Sequence, residues 1–212
     1  MRILFFLSLL LSCLACKPDQ PNRKNKEVLR IPDASSEISN WTCIPGERVG
    51  RILNKFTEAD IIKAYGKENV GREEINLAEG ETTLATTLFP NTDNVLFISW
   101  KPGKPFQEIQ EILVENEAAL WTTNQGIGMG TNLEKLVEIN GKEFRFTGFE
   151  WDYSGLAKDW QGGKIPENLI LFLEPTNPEA VYPDLLGDAL FSSDHPKAKQ
   201  AGLIVRGMIF KF

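Results

Sequence analysis

Thr57-Glu58-Ala59-Asp60-Ile61-Ile62-Lys63-Ala64-Tyr65-Gly66 reads as one short helix with both of its ends marked. Thr57 is a residue whose hydroxyl caps a helix start, and Glu58 and Asp60 place negative charge in the first turn, where the helix dipole favours it. Ile61, Ile62 and Tyr65 supply one apolar face, and Gly66 can end the helix in a left-handed cap. Val49-Gly50-Arg51-Ile52-Leu53 leads into it. Downstream, residues 83–89 and Val95-Leu96-Phe97-Ile98-Ser99-Trp100 are rich in β-branched and aromatic side chains and predict strands. Pro90-Asn91-Thr92-Asp93-Asn94 separates these strands as a turn, and Lys101-Pro102-Gly103-Lys104-Pro105 forms a second one. Residues 107–120 carry helical spacing at Ile109, Ile112 and Leu113, yet a strand returning from the Pro-Gly turn would complete a meander. Strand is the preferred assignment.

The same order recurs. Gly126-Ile127 approaches Thr131-Asn132-Leu133-Glu134-Lys135-Leu136-Val137-Glu138-Ile139-Asn140-Gly141, with Thr131 as cap, Glu134 three residues on and Gly141 at the stop. Phe144, Phe146, Phe149 and Trp151 follow as aromatic strand sequence, then residues 168–173 and 202–212 as two further strands. Short helices feeding strands predict an α+β fold with an antiparallel sheet. It consists of two tandem units, about 41–120 and 121–212, within one domain.

Outside the domain the N-terminus is the most informative stretch. Arg2 is followed by an apolar run, Ile3 to Leu11, broken only by Ser8. A bilayer-spanning helix needs about 20 apolar residues, so the run is too short to span and suits a signal peptide, residues 1–12. Leu10-Leu11-Ser12-Cys13 resembles the bacterial lipobox, in which a small residue precedes a cysteine that is lipidated and becomes the mature N-terminus. The resemblance implies Cys13 as the lipidated residue, with Cys16, after Ala15, as the alternative. It also implies a palmitate-type lipid and a place in the bacterial envelope, facing the periplasm or the exterior. Residues 13–40 hold Pro18, Pro21 and Pro32, many charges and few large apolar groups, so they are expected to form a tether. Within it, Arg23-Lys24-Asn25-Lys26 is a basic cluster for which a solvated linker is the default and contact with anionic headgroups the alternative.

The tandem helix-then-strands pattern resembles the units of β-lactamase-inhibitor-protein-like folds and is similar to the small SmpA/OmlA-type lipoproteins. Gly50-Arg51-Ile52, Thr57 and Gly66 carry it in the first unit, and Gly126-Ile127, Thr131 and Gly141 in the second. The resemblance implies a binding scaffold for other proteins rather than an enzyme. The proline that this pattern places after the helix-ending glycine is absent from both units.

Composition narrows the chemistry. The chain has 212 residues, a net charge of −6, 42% hydrophobic and 25% charged residues, three cysteines and one histidine. A pI near 5.0 argues against a nucleic-acid partner. Three cysteines and one histidine leave no disulfide scaffold and no His/Cys metal set, and no cofactor is expected. Cys13-Leu14-Ala15-Cys16 falls inside the secretion signal, which disfavours a redox C-x-x-C. Cys43 is expected to be buried, with pairing to Cys16 as the alternative. Gly126-x-Gly128-x-Gly130-Thr131 has no lysine inside the loop and reads as the approach to a helix rather than a phosphate cradle. His195, in Ser193-Asp194-His195-Pro196, lacks a nucleophile and reads as a solvated loop residue.

Gly148-Phe149-Glu150-Trp151-Asp152-Tyr153-Ser154-Gly155, with Asp159-Trp160 beyond it, is the most suggestive segment. In an extended strand Glu150 and Asp152 share a face, with Cα atoms roughly 6.5–7 Å apart. Paired carboxylates beside Trp151, Tyr153 and Trp160 suit carbohydrate chemistry. The structural alternative packs Phe149, Trp151 and Tyr153 on one sheet face with the acids on the other. The candidate ligand- or partner-binding residues are therefore Glu150, Asp152, Tyr153, Asp159 and Trp160. Trp151 is expected in the core and Trp160 half exposed, as a binding anchor. Two functions follow: a non-enzymatic module, tethered to a membrane by its lipid, that binds a protein or cell-wall partner; or a tethered hydrolase of carbohydrate or peptidoglycan using acids near residues 150–159.

Overall fold

A computed structural model describes residues 41–76, 80–181 and 183–212. The expected signal peptide, Cys13, Cys16 and the expected tether lie outside the described residues. The chain from Glu37 to Phe212 forms one compact unit.

In chain order the elements are β1 Thr42–Ile44, β2 Arg48–Val49, β3 Ile52–Leu53, α1 Glu58–Tyr65, β4 Val70–Asn76, β5 Thr82–Leu88, β6 Leu96–Trp100, β7 Ile109–Val114 and β8 Thr122–Thr123. They continue with α2 Leu133–Asn140, β9 Arg145–Thr147, β10 Leu156–Asp159, β11 Leu169–Pro175, β12 Leu190–Ser192, α3 Pro196–Ala201 and β13 Leu203–Lys211. Strands dominate. The described helices have eight, eight and six residues, and nine of the strands join one sheet in the order β12-β9-β10-β11-β13-β7-β6-β5-β4. The expected α+β fold of tandem helix-plus-strand units is corrected accordingly: the molecule is β-rich. The strands of both halves fuse into one sheet because β13, the last strand, pairs antiparallel with β7 of the first half, Met208 opposite Val114 and Phe210 opposite Ile112.

A second sheet, β3-β2-β1-β8, went unseen in the sequence because its strands are only two or three residues long. The meander β5-β6-β7 forms as expected. So does α1. Thr57 Oγ1 accepts from the Asp60 amide (3.2 Å), and Asp60 Oδ2 accepts from the Thr57 amide (3.0 Å), a reciprocal capping box. Gly66 ends the helix with a positive φ of 89° but an extended ψ of 145°, not the left-handed conformation anticipated. In α2 the cap is Asn132 rather than Thr131, its side chain accepting from the Lys135 amide at 2.9 Å. Thr131 is otherwise engaged. Its carbonyl accepts from Val205 N (2.9 Å) and its hydroxyl from Gly128 N (2.9 Å), so its neighbour takes the cap.

Register sorts the side chains of the large sheet into two faces, since residues directly opposite each other in an antiparallel pair share a face. Leu96, Ile98, Ile112, Val114, Met208, Phe210, Leu169 and Leu171 fall on the inner face, and all are completely buried. The outer face carries a different set, taken up below.

Candidate binding face and the Arg206 groove

On the outer face Phe97 stands opposite Leu113, Leu113 opposite Ile209, and Ile209 opposite Ile170. These four side chains form one apolar row across β6, β7, β13 and β11. Phe97, Leu113 and Ile209 are half buried, whereas the inner-face residues beside them are sealed. On one side the row is bordered by Ser99, Glu111 and Lys211, which are also mutually opposed. Burial pushes the Glu111 carboxyl up, with Lys211 across the strand pulling it back.

On the other side the sheet is deformed. Phe172 pairs with Gly207 and Leu173 with Val205, so Arg206 is an extra residue inserted into β13. Such a bulge bends the strand and re-aims its side chain. The Arg206 guanidinium lies 5.1 Å from the centroid of the Phe172 ring. Gly207 permits that ring to lean inward: a Cβ there would come within 3.3 Å of it. Among the described residues no carboxylate lies within ion-pairing distance of Arg206. Arg206 and Glu174 together line two adjoining clefts of about 410 and 400 Å³. Phe149, Glu150, Pro175 and Val181 wall the first, and Glu117, Ala118 and Ile204 the second. Sharing two residues, the clefts form one groove.

The wall bearing Glu150 is held rigidly. Residues 148–155 are a closed turn rather than the expected strand, so Glu150 and Asp152 are not paired on an extended face. The Gly155 amide donates to Gly148 O (3.0 Å), the Phe149 amide to Leu185 O (2.9 Å) and the Gly187 amide to Phe149 O (2.9 Å). Thr147 Oγ1 donates to Tyr153 O and accepts from the Leu156 amide. Gly155 has φ +68°, and a Cβ on it would sit 2.1 Å from Leu173 O, so only glycine fits. Glu150 itself has φ +66°, the left-handed region that side-chain-bearing residues seldom adopt. Backbone strain of this kind is worth about 1–3 kcal/mol, and Phe89, Asn91, Phe106 and Gln161 share it.

The sequence-predicted site residues divide. Glu150 lines the groove. Asp152 is exposed and Tyr153 is half buried, its ring set edge-on to Trp151 at 5.3 Å, and neither lines either cleft. Asp159 Oδ1 accepts from Gln161 N and Nε2, shaping its own turn. Trp160 is a correction. It is fully buried and packs on Phe144 with centroids 5.0 Å apart, and its Nε1 donates to Leu169 O at 3.0 Å. Asn140, also buried, donates to Trp160 O and Lys142 O and accepts from the Ile165 amide, clamping the loop over the core. Trp151, expected in the core, is only half buried.

The remaining motifs have structural roles. His195 Nδ1 accepts from the Lys197 amide (3.2 Å) and caps α3. At Gly128 a Cβ would meet Thr122 Cγ2 at 2.8 Å, which explains the glycine without a phosphate. Cys43 is fully buried and its thiol is pushed up to about 12 by burial. Among the described residues no cluster of three His, Cys, Asp or Glu side chains is placed to hold a metal ion, and no helix is long and apolar enough to cross a membrane. Sequence analysis missed Arg206, Glu174 and the apolar row, because all three exist only through register. Comparison with protein-family models, curated proteins and solved structures gives no match, so the functional reading rests on this geometry.

Proposed function

We propose that this protein is a lipid-anchored module of the bacterial envelope that binds a protein or cell-wall partner through the outer face of its large sheet, without catalysing a reaction. The observation that carries the proposal is the asymmetry of that sheet. One face is sealed, while the other presents the row Phe97–Leu113–Ile209–Ile170, three of whose members remain partly exposed. Apolar side chains left in contact with water on an ordered sheet gain free energy when a partner covers them, at about 25 cal/mol per Å². The lipobox-like Leu10-Leu11-Ser12-Cys13 supports the anchor, with Cys13 acylated and the protein facing the periplasm or exterior. The hydrolase alternative needs acids converging beside Trp160, and Glu150 alone of them reaches the groove.

Two measurements test the proposal. Cys13→Ala should block lipid attachment and move the protein out of the membrane fraction, while Cys16→Ala should not. Retention of both variants in the membrane overturns the anchor. A photo-crosslinking side chain placed at Leu113 or Ile209 in intact cells should give adducts that one at the exposed Lys135 of α2 does not. Equal labelling at all three positions overturns the binding face.

A further inference from the structure

From the groove across the Arg206 bulge we infer a binding site for a short zwitterionic peptide, with the peptide carboxylate on Arg206 and its ammonium groups between Glu174 and Glu150. The inference rests on the binding-module reading and names a ligand class for one end of the same face. The groove places one guanidinium among three carboxylates: Arg206 and Glu174 wall both clefts, Glu117 walls one and Glu150 the other. A nucleotide or other polyanion would face three carboxylates. A polycation would face a guanidinium that has no acidic partner among the described residues. A neutral sugar can hydrogen-bond these groups but neutralises neither charge. A ligand carrying a carboxylate together with ammonium groups matches this set of charges.

Arg206 is suited to this task by its position. Its fork of donors can hold a carboxylate by two parallel hydrogen bonds, and the Phe172 ring beneath it limits its freedom before the ligand arrives. Each cleft, at about 410 and 400 Å³, has the size of a small-molecule site. Apolar side chains line both clefts beside the charged groups: Phe149, Pro175 and Val181 in one, Ala118 and Ile204 in the other. The rigid 148–155 turn holds Glu150 in place without a closing movement, which reduces the ordering cost of binding.

In an envelope this chemistry has two sources: the stem peptides of the cell wall and free oligopeptides. Titration calorimetry of the detergent-solubilised full chain distinguishes them, using the stem tetrapeptide L-Ala-γ-D-Glu-L-Lys-D-Ala and the all-L peptide Ala-Ala-Lys-Ala as probes. Binding of either supports the site, and the tighter one identifies its source. Arg206→Gln should raise Kd about tenfold. Amidating the C-terminal carboxylate, which both peptides carry, should weaken binding to the parent protein equally but leave binding to Arg206→Gln unchanged. Glu150→Gln, on the opposite wall, should weaken binding of the free amine but not of its acetylated form. No binding of either peptide at millimolar concentration, or an Arg206→Gln protein that still discriminates acid from amide, overturns the inference. Crosslinking at Leu113 and Ile209 is independent of this groove chemistry, so either proposal can fail while the other stands.

Discussion

Replacing Trp160 by alanine separates two opposite views of the segment that follows Glu150. Sequence context places this ring at the surface, whereas in the structure it is fully buried against Phe144 with its indole N–H spent on Leu169 O. Truncating a buried tryptophan costs about 3–5 kcal/mol, from lost transfer energy and the cavity left behind. The Leu169 carbonyl would also lose a donor inside the core, which places the variant toward the upper end of that range. For a domain of this size each kcal/mol lowers Tm by about 2–4 °C, so the expected drop is about 8–20 °C. Trp151→Ala removes a half-buried ring whose N–H donates to Gly148 O within its own turn, and should cost about 1–2 kcal/mol. Thermal and urea melts of the compact unit 37–212 measure both. Trp160→Phe is the internal control, keeping most of the volume while losing the hydrogen bond, and should fall between parent and alanine variant. A Trp160→Ala protein within about 1 kcal/mol of the parent, or less affected than Trp151→Ala, refutes the burial argument.

Two further outcomes are expected. Glu58, which accepts from Arg72 Nε and Nη2 and from Thr86 Oγ1, is held below the ordinary carboxylate range chiefly by the Arg72 hydrogen bond. Its folded value lies below an unfolded one of about 4.3, so its stabilisation is present above that pH and lost as pH falls through the folded value. Glu58→Gln should therefore lower stability by about 1–2 kcal/mol at pH 7 and flatten the acid side of the Tm–pH curve; an unchanged curve counts against the network. Cys43, its thiol pushed to about 12, should resist iodoacetamide at pH 8 in native 37–212 and react fully in urea. Rapid labelling of the native protein would mean that the β1 region opens.

The apolar row and the groove depend on the same fact, the pairing of β13 with both β7 and β11. Joining the halves through the final strand creates a face wide enough to seal on one side and still present four apolar side chains in line on the other. The bulge at Arg206 then interrupts the β11–β13 ladder, which runs on for three more pairs, and sets Arg206 beside Glu174 in the charged groove. A binding face with an apolar centre and a polar margin is the usual anatomy of a recognition surface.

Local chemistry was enough to specify local elements. The start of α1 follows from Thr57 and Asp60 satisfying each other's backbone and side-chain groups, an arrangement complete within four residues. The strands β5, β6, β7, β11 and β13 follow from runs of β-branched and aromatic residues between turn-forming prolines and glycines. Partners were not specified in this way. Nothing in residues 109–114 states that they will lie beside residues 208–211 rather than begin a second unit, because strand pairing is a free-energy comparison over the whole chain. Two misjudged positions and one that went unnoticed have the same origin. Thr131 and Asn132 are both capable caps, and the choice fell to Asn132 once Thr131 was tied to Gly128 and Val205. Trp160 sits among polar and glycine residues, yet Asn140, twenty positions away, pins its loop over the core. Arg206 is one charged residue in a strand until the mismatch between β11 and β13 leaves it without an opposite number. The sequence by itself determined the short-range hydrogen bonds and the hydrophobic periods; tertiary structure decided which of those periods faced one another, and so which side chains met water.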